Sequence, residues 1–130
     1  MTRNEPSLRV LVVDDESLIR WAVVETLTHA GHEVLEARDG GSALRALRDA
    51  KEHVDVVLLD LRLPDCADLT VLSSIRSQSP DSAVVMMSAH TTPEVAAEAR
   101  VLGVYDLLVK PFDVNGCERV LRQACVASRH

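Results

Sequence analysis

Three short apolar runs constrain the fold of this chain more than any other feature: Leu8–Val13, Val54–Leu59 and Ala83–Met87. Each is nearly continuous and rich in Val, Leu and Met. Runs this short and this unbroken suit strands buried on both faces, as in a parallel sheet covered by helices, better than strands with one wet face. Two weaker segments complete the set. Glu33–Ala37 (EVLEA) alternates and reads as an edge strand, and Tyr105–Val109 (YDLLV) reads as a fifth strand.

Helical patterns lie between these runs. Ser17–Ala30 places Ile19, Val23, Leu27 and Ala30 at spacings of three and four, with Gly31 as a stop. Ser42–Ala50 carries Ala43, Leu44, Leu47 and Ala50 after a turn-like Asp39-Gly40-Gly41. Leu69, Leu72 and Ile75 mark a third helix that ends before Ser79-Pro80, because the residue before a proline is pushed out of helical geometry. Thr91-Thr92-Pro93-Glu94 is a helix start with a hydroxyl cap and an early proline, and Gly103 closes that helix. Asp113 can cap a last helix whose Cys117, Val120, Leu121, Ala124 and Cys125 face inward. Five βα units in succession predict one α/β domain over residues 1–130 with right-handed crossovers, its loose ends near 1–7 and 126–130.

Composition narrows the function. A net charge of −6 argues against this domain being a nucleic-acid contact, for which a basic patch is expected. With one Trp, one Tyr and one Phe there is no base-stacking platform. No apolar run approaches the roughly 20 residues a membrane span needs, and the stretch MTRNEPSLRV has no apolar signal-peptide core. Cys66, Cys117 and Cys125 form no C-x-x-C pair and read as reduced thiols in a cytoplasmic protein.

The chemistry sits where the apolar runs stop. The first ends in Asp14-Asp15-Glu16, the third in Asp60, the fourth in Ser88 and the fifth in Lys110. Ligands of open α/β sheets bind outside the carboxyl ends of the strands, so parallel strands would gather acids, a hydroxyl and an ammonium at one edge. Any one of them alone is a helix cap or a solvated loop residue; four together are a signal. Converging carboxylates repel unless a cation joins them, and oxygen donors in an open site suit Mg²⁺. Asp60, expected to be ionised at neutral pH, could act as a nucleophile without a general base and form an acyl phosphate. Ser88 and Lys110 could stabilise phosphoryl oxygens.

The four segments VVDDE, VVLLDLRLPD, VVMMSAH and VKPFD, in this order and spacing, resemble the receiver domain of two-component response regulators over nearly the whole chain. The resemblance implies a doubly wound (βα)5 three-layer sandwich, flavodoxin-like or CheY-like, with parallel sheet order 2-1-3-4-5. It implies that Asp60 is the phosphoacceptor for a phosphohistidine of a sensor histidine kinase. Asp15 and Asp60 would bind Mg²⁺ with the backbone carbonyl of Arg62, and Asp14 would support the ion indirectly. Ser88 would be the switch hydroxyl and Lys110 the partner of the phosphoryl group, with a cis bond between Lys110 and Pro111. The domain would then be no enzyme beyond its own phosphorylation and dephosphorylation. Glu16 matches a frequent third acid, although a helix-start acid favoured by the dipole is the plainer reading.

The stretches SLIRWAVVETL, HEVLEARDGGSAL and YDLLVKPFDV resemble more narrowly the receivers of NtrC-type activators of sigma54-dependent transcription. That implies a covalently linked ATPase and DNA-binding output region. Many receivers also dimerise through the fourth helix, fifth strand and fifth helix. A homodimer there would let Arg100, Arg119 and Arg122 pair with Asp106 or Glu98, against a default of isolated solvated charges.

Two departures from the family pattern stand out. Leu107 occupies the place of the usual switch aromatic, with Tyr105 two residues earlier, and Asp65 and Asp68 stand where glycine is common. Arg62 and His90 flank the expected phosphoryl position and are read as shielding or tuning residues. Two other classes remain in view: a Mg²⁺-dependent aspartyl-phosphate phosphohydrolase, which would want a second Asp where Arg62 stands, and an unphosphorylated receiver-like interaction module. Elsewhere, Trp21 reads as a core or groove anchor, His29 and His32 as a solvated turn, His53 as surface, and Met86 and Met87 as core filler.

Overall fold

The computed structural model describes residues 7–62, 69–110 and 113–128. Five strands alternate with five helices: β1 (Arg9–Val13), α1 (Ser17–His29), β2 (Glu33–Ala37), α2 (Gly40–Asp49), β3 (Val56–Asp60), α3 (Thr70–Gln78), β4 (Ala83–Ser88), α4 (Pro93–Val101), β5 (Asp106–Val109) and α5 (Val114–Ser128). The sheet is parallel throughout, in the order β2-β1-β3-β4-β5. The expected fold is therefore the one observed.

Strand parity sorts the apolar side chains into two layers. Leu11, Val13, Val57, Leu59, Val84 and Met86 face a cluster with Ala43, Leu72, Ile75 and Ala99 from α2, α3 and α4. The alternate residues Val10, Val12, Val56, Leu58, Val85 and Met87 face Val23 and Leu27 of α1 and Cys117, Leu121 and Cys125 of α5. The central strands β3 and β4 are buried along their whole length, which is why their sequence runs are continuous. Burial also pushes the Cys117 thiol up to about 12, so it is a packing residue rather than a reactive one. Among the described residues no helix is long and apolar enough to cross a membrane.

Three sequence expectations are corrected here. Asp39-Gly40-Gly41 is not a separate turn. Asp39 is the N-cap of α2, its carboxylate accepting from the Ser42 N–H at 2.7 Å, and the glycines form the first helical turn. Hydrogen bonding by Ser42 holds the Asp39 carboxyl below its usual range.

Trp21 is no core anchor, for it is 63% exposed. It lies two residues before Val23, about 200° away around the helix, so burying Val23 and Leu27 turns Trp21 and Leu18 outward.

His32 is not part of a solvated turn but is buried at the amino end of β2. Its Nδ1 accepts the Leu8 N–H at 2.9 Å, and its Nε2 lies 2.6 Å from Glu118 Oε2 on α5. With Nδ1 accepting, Nε2 is the protonated nitrogen that donates to the carboxylate. Arg122 lies 3.5 Å from the same Glu118 oxygen, so its charge is compensated within one chain.

The imidazole thus ties the residue that leads into β1 to the last helix. His32→Ala should lower unfolding stability by about 2–4 kcal/mol, since it opens a cavity and removes the partner of a buried N–H. Urea denaturation measures this; an unchanged midpoint would contradict the structural role.

Candidate functional site

Parallel register brings the polar ends of β1, β3, β4 and β5 to one edge. Val13 pairs with Leu59, Asp60 with Met87, and Ser88 with Val109. Asp14 therefore follows directly beside the end of β3, and Lys110 beside Ser88, whose carbonyl accepts the Lys110 N–H at 2.8 Å.

The Lys110 ammonium organises this edge. Its Nζ lies 3.1 Å from Asp14 Oδ2, 3.0 Å from Glu16 Oε1 and 3.2 Å from Asp60 Oδ2, so its three N–H groups meet three carboxylates. Burial works against its charge. Hydrogen bonds to Glu16 and Asp14 and the charge of Asp60 outweigh that and hold the ammonium above its ordinary value. Glu16 is thus more than a helix-start acid. It is the N-cap residue of α1 but makes no side-chain cap bond, its carboxylate turning to Lys110 instead.

Asp14 and Asp60 are both buried, while Asp15 is exposed. Asp14 Oδ1 accepts the Glu16 N–H at 2.8 Å, and Asp60 Oδ1 accepts the Arg62 N–H at 3.0 Å. Carboxylate oxygens of Asp14, Asp15 and Asp60 lie within 4.8 Å of one another. Three hard oxygen donors this close form a set that fits a divalent cation such as Mg²⁺. Burial pushes the Asp60 carboxyl up to about 6; the Arg62 N–H pulls it down, the Asp14 charge pushes it up again, and Lys110 pulls it down. At neutral pH Asp60 is therefore mostly ionised, but by a narrower margin than an ordinary aspartate.

Ser88 is at this edge, yet its hydroxyl is engaged within its own loop. Oγ donates to the His90 carbonyl and accepts the His90 N–H, the latter at 3.1 Å. The cap of α4 is Thr92, whose hydroxyl accepts the Val95 N–H at 3.2 Å. Arg62 and His90 are exposed and, with Leu61, Thr91, Thr92 and Val95, line an open cavity of about 350 Å³ next to Asp60. Leu107 packs on the core layer under α2, α3 and α4. Tyr105 cannot stand in for it, since it lines a separate cavity with Arg76, Gly103 and Ala124 at the amino end of β5.

Arg100 lies 3.8 Å from Asp106 of its own chain, at an exposed position. Arg20, which sequence reading passed over, donates to the Asp14 carbonyl at 2.6 Å. Its one signal was its place a helical turn after the acids. The Lys110-Pro111 bond and Asp65, Cys66 and Asp68 lie outside the described residues.

Strand order, parallel direction and an acid–lysine cluster at the carboxyl ends of β1, β3 and β5 define a doubly wound α/β protein with its working groups at the topological switch edge. The chain belongs to the response regulator receiver domain family, whose model matches residues 10–122, and so is a receiver domain of two-component signalling. It is 36% identical over 115 residues to the DNA-binding transcriptional regulator NtrC of Proteus hauseri, covering 88% of this chain and 24% of that protein. The structure of NtrX from Brucella abortus in complex with ADP superposes with a TM-score of 0.83 at 37% identity, over 95% of this chain and 27% of that one. The structure of chemotaxis protein CheY4 of Vibrio cholerae does so with a TM-score of 0.83 at 32% identity, over 92% and 99%. The chain spans a quarter to a half of the length of the curated relatives it matches.

The raised Asp60 value has a thermodynamic sign. Between the ordinary aspartate value of 3.8 and about 6 the folded state holds a proton that the unfolded state has lost, so stability falls as pH rises through that window. Metal-free Asp60→Asn should therefore melt about 2–6 °C above wild type at pH 7. The gap should close as pH falls towards 4. Thermal melts in chelator check this, and a variant that melts lower at pH 7 would contradict it.

Proposed function

We propose that Asp60 is the phosphoryl acceptor of this receiver, with Mg²⁺ held by Asp15, Asp60 and the Arg62 carbonyl and supported by Asp14. The observation that carries this is the meeting of three carboxylates within 4.8 Å beside one ammonium that already touches Asp60. A sensor histidine kinase supplies the phosphohistidine. An Asp60 oxygen attacks phosphorus in line, the P–N bond breaks, the imidazole leaves with a proton from solvent, and an acyl phosphate remains. The cation supplies charge neutralisation for the transferring group. Lys110, drawn from the Asp14–Glu16–Asp60 cluster, pairs with a phosphoryl oxygen.

Ser88 is the switch hydroxyl. Turning it to the phosphoryl group breaks its two bonds to His90 and so loosens the loop that enters α4. With Leu107 in place of an aromatic, the change passes to the α4–β5 surface through that loop and through packing. The module is cytoplasmic, and its output is transcription regulation through an NtrC-type ATPase and DNA-binding region. A homodimer through α4, β5 and α5 fits the exposed Val101, Tyr105, Val109 and Val126 there. A phosphohydrolase reading lacks its second aspartate, because Arg62 occupies that place.

Acetyl phosphate with Mg²⁺ should label wild type with an acid-labile, hydroxylamine-sensitive phosphoryl group, and Asp60→Asn or Asp60→Ala should abolish it. Label retained by Asp60→Ala would place the acceptor elsewhere. Arg62 and His90 shield the acyl phosphate from water at the cavity mouth. Arg62→Ala and His90→Ala should each shorten the phosphoryl lifetime several-fold, followed by the decay of the label; unchanged lifetimes would remove the shielding role.

A further inference from the structure

We propose that Arg20 is a positioning residue for the cation site, setting the direction from which Asp15 presents its carboxylate. This rests on the reading that Asp14, Asp15 and Asp60 hold Mg²⁺. The link between β1 and α1 is only Asp14-Asp15-Glu16, and it must aim its acids without secondary structure of its own.

Asp14 is fixed at every polar group. Its N–H donates to the Ala37 carbonyl at 3.0 Å, its Oδ1 accepts the Glu16 N–H at 2.8 Å, and its Oδ2 faces Lys110 at 3.1 Å. Its carbonyl accepts from Arg20 Nη1 at 2.6 Å. Asp15 is the opposite case. It is exposed, and among the described residues its carboxylate makes no hydrogen bond or ion pair. Its aim therefore depends on its backbone. The Asp14 carbonyl and the Asp15 N–H share one peptide plane, so a guanidinium that pins the carbonyl also fixes the start of Asp15.

Arg20 is itself held for this task. Its backbone N–H makes an early bond of α1, to the Glu16 carbonyl at 2.9 Å. Its Nε lies 3.1 Å from Glu36 Oε1 on the edge strand β2, and its side chain is only 20% exposed. One planar fork thus joins α1, the end of β1 and β2. A lysine could not serve both the carbonyl and the carboxylate in that fixed geometry.

The sign of the effect separates positioning from charge. A guanidinium near the site repels a divalent cation, so losing it should tighten Mg²⁺ binding if charge alone matters. If Arg20 aims Asp15, losing it weakens binding despite the gain in negative potential.

Calorimetric titration of the metal-free protein with MgCl₂ reads the difference, alongside thermal melts. Arg20→Gln should raise the Mg²⁺ Kd about tenfold, the lower end for loss of a group that orients a ligand. Arg20→Lys should fall between it and wild type, and Glu36→Gln should weaken binding in the same direction by less. Arg9→Gln is the control. Arg9 pairs with Glu33 at 2.9 Å and Glu52 at 2.6 Å at the far end of β1, so its loss should lower stability and leave Kd unchanged.

Should Arg20→Gln fail to fold, Arg20→Lys carries the test, because it keeps the positive charge and loses only the planar fork, so charge alone predicts an unchanged Kd. Equal or tighter binding by the folded Arg20 variants overturns the positioning role while leaving the cation site intact. An absence of Mg²⁺ binding by wild type overturns the cation reading itself.

Discussion

One ammonium touching three carboxylates is the interaction on which the rest of this edge depends. Asp14 and Asp60 are buried at adjacent strand ends, where two negative charges would repel strongly in a medium less polar than water. Lys110 reaches both and Glu16 as well, so the acids are held compensated inside the fold. The cluster is tense in one respect: Asp60 still keeps a raised pKa, because burial and Asp14 outweigh what Lys110 and the Arg62 N–H return. Any event that adds positive charge to the acids or moves Lys110 to a new partner shifts this balance. The fold places that balance at the open end of the sheet, where loops rather than strands must respond.

The loop after β4 is the element placed to respond. Ser88 closes a small turn on His90, and two residues later Thr92 caps α4. A change of partner at Ser88 is therefore four residues from Thr92, the residue that caps α4. Leu107, where an aromatic is usual, is partly buried and packs against the core layer. In the switch proposed above, coupling would run through these loop hydrogen bonds and through packing, a local event of the kind that biases a two-state segment.

Much of this was legible in the sequence, and the reasons are physical. Continuous apolar runs identified β3 and β4 because both faces of those strands are covered. The residues ending each run identified the edge because parallel strands end on the same side. What stayed hidden depended on distance in space rather than spacing along the chain. His32 and Glu118 are 86 residues apart, and nothing local in a His flanking a glycine announces a buried pair. Glu16 and Lys110 are 94 apart, so the acid read as a helix start until the fold brought the ammonium to it. Trp21 was misread because aromatic character suggested burial, whereas its angle around α1 decides its exposure. Arg20 was overlooked because its target is a backbone carbonyl, which no side-chain pattern records.

Phosphorylation of Asp60, as proposed, closes the acid–lysine edge around the phosphoryl group and takes Ser88 with it. A crystal structure grown with Mg²⁺ and beryllium trifluoride, a tetrahedral phosphoryl mimic, tests it most directly. The mimic should be joined to an Asp60 carboxylate oxygen, with Lys110 Nζ and Ser88 Oγ both in contact with it and the Ser88 bonds to His90 broken. A mimic bound elsewhere, or one on Asp60 with Ser88 still closed on His90, would contradict it.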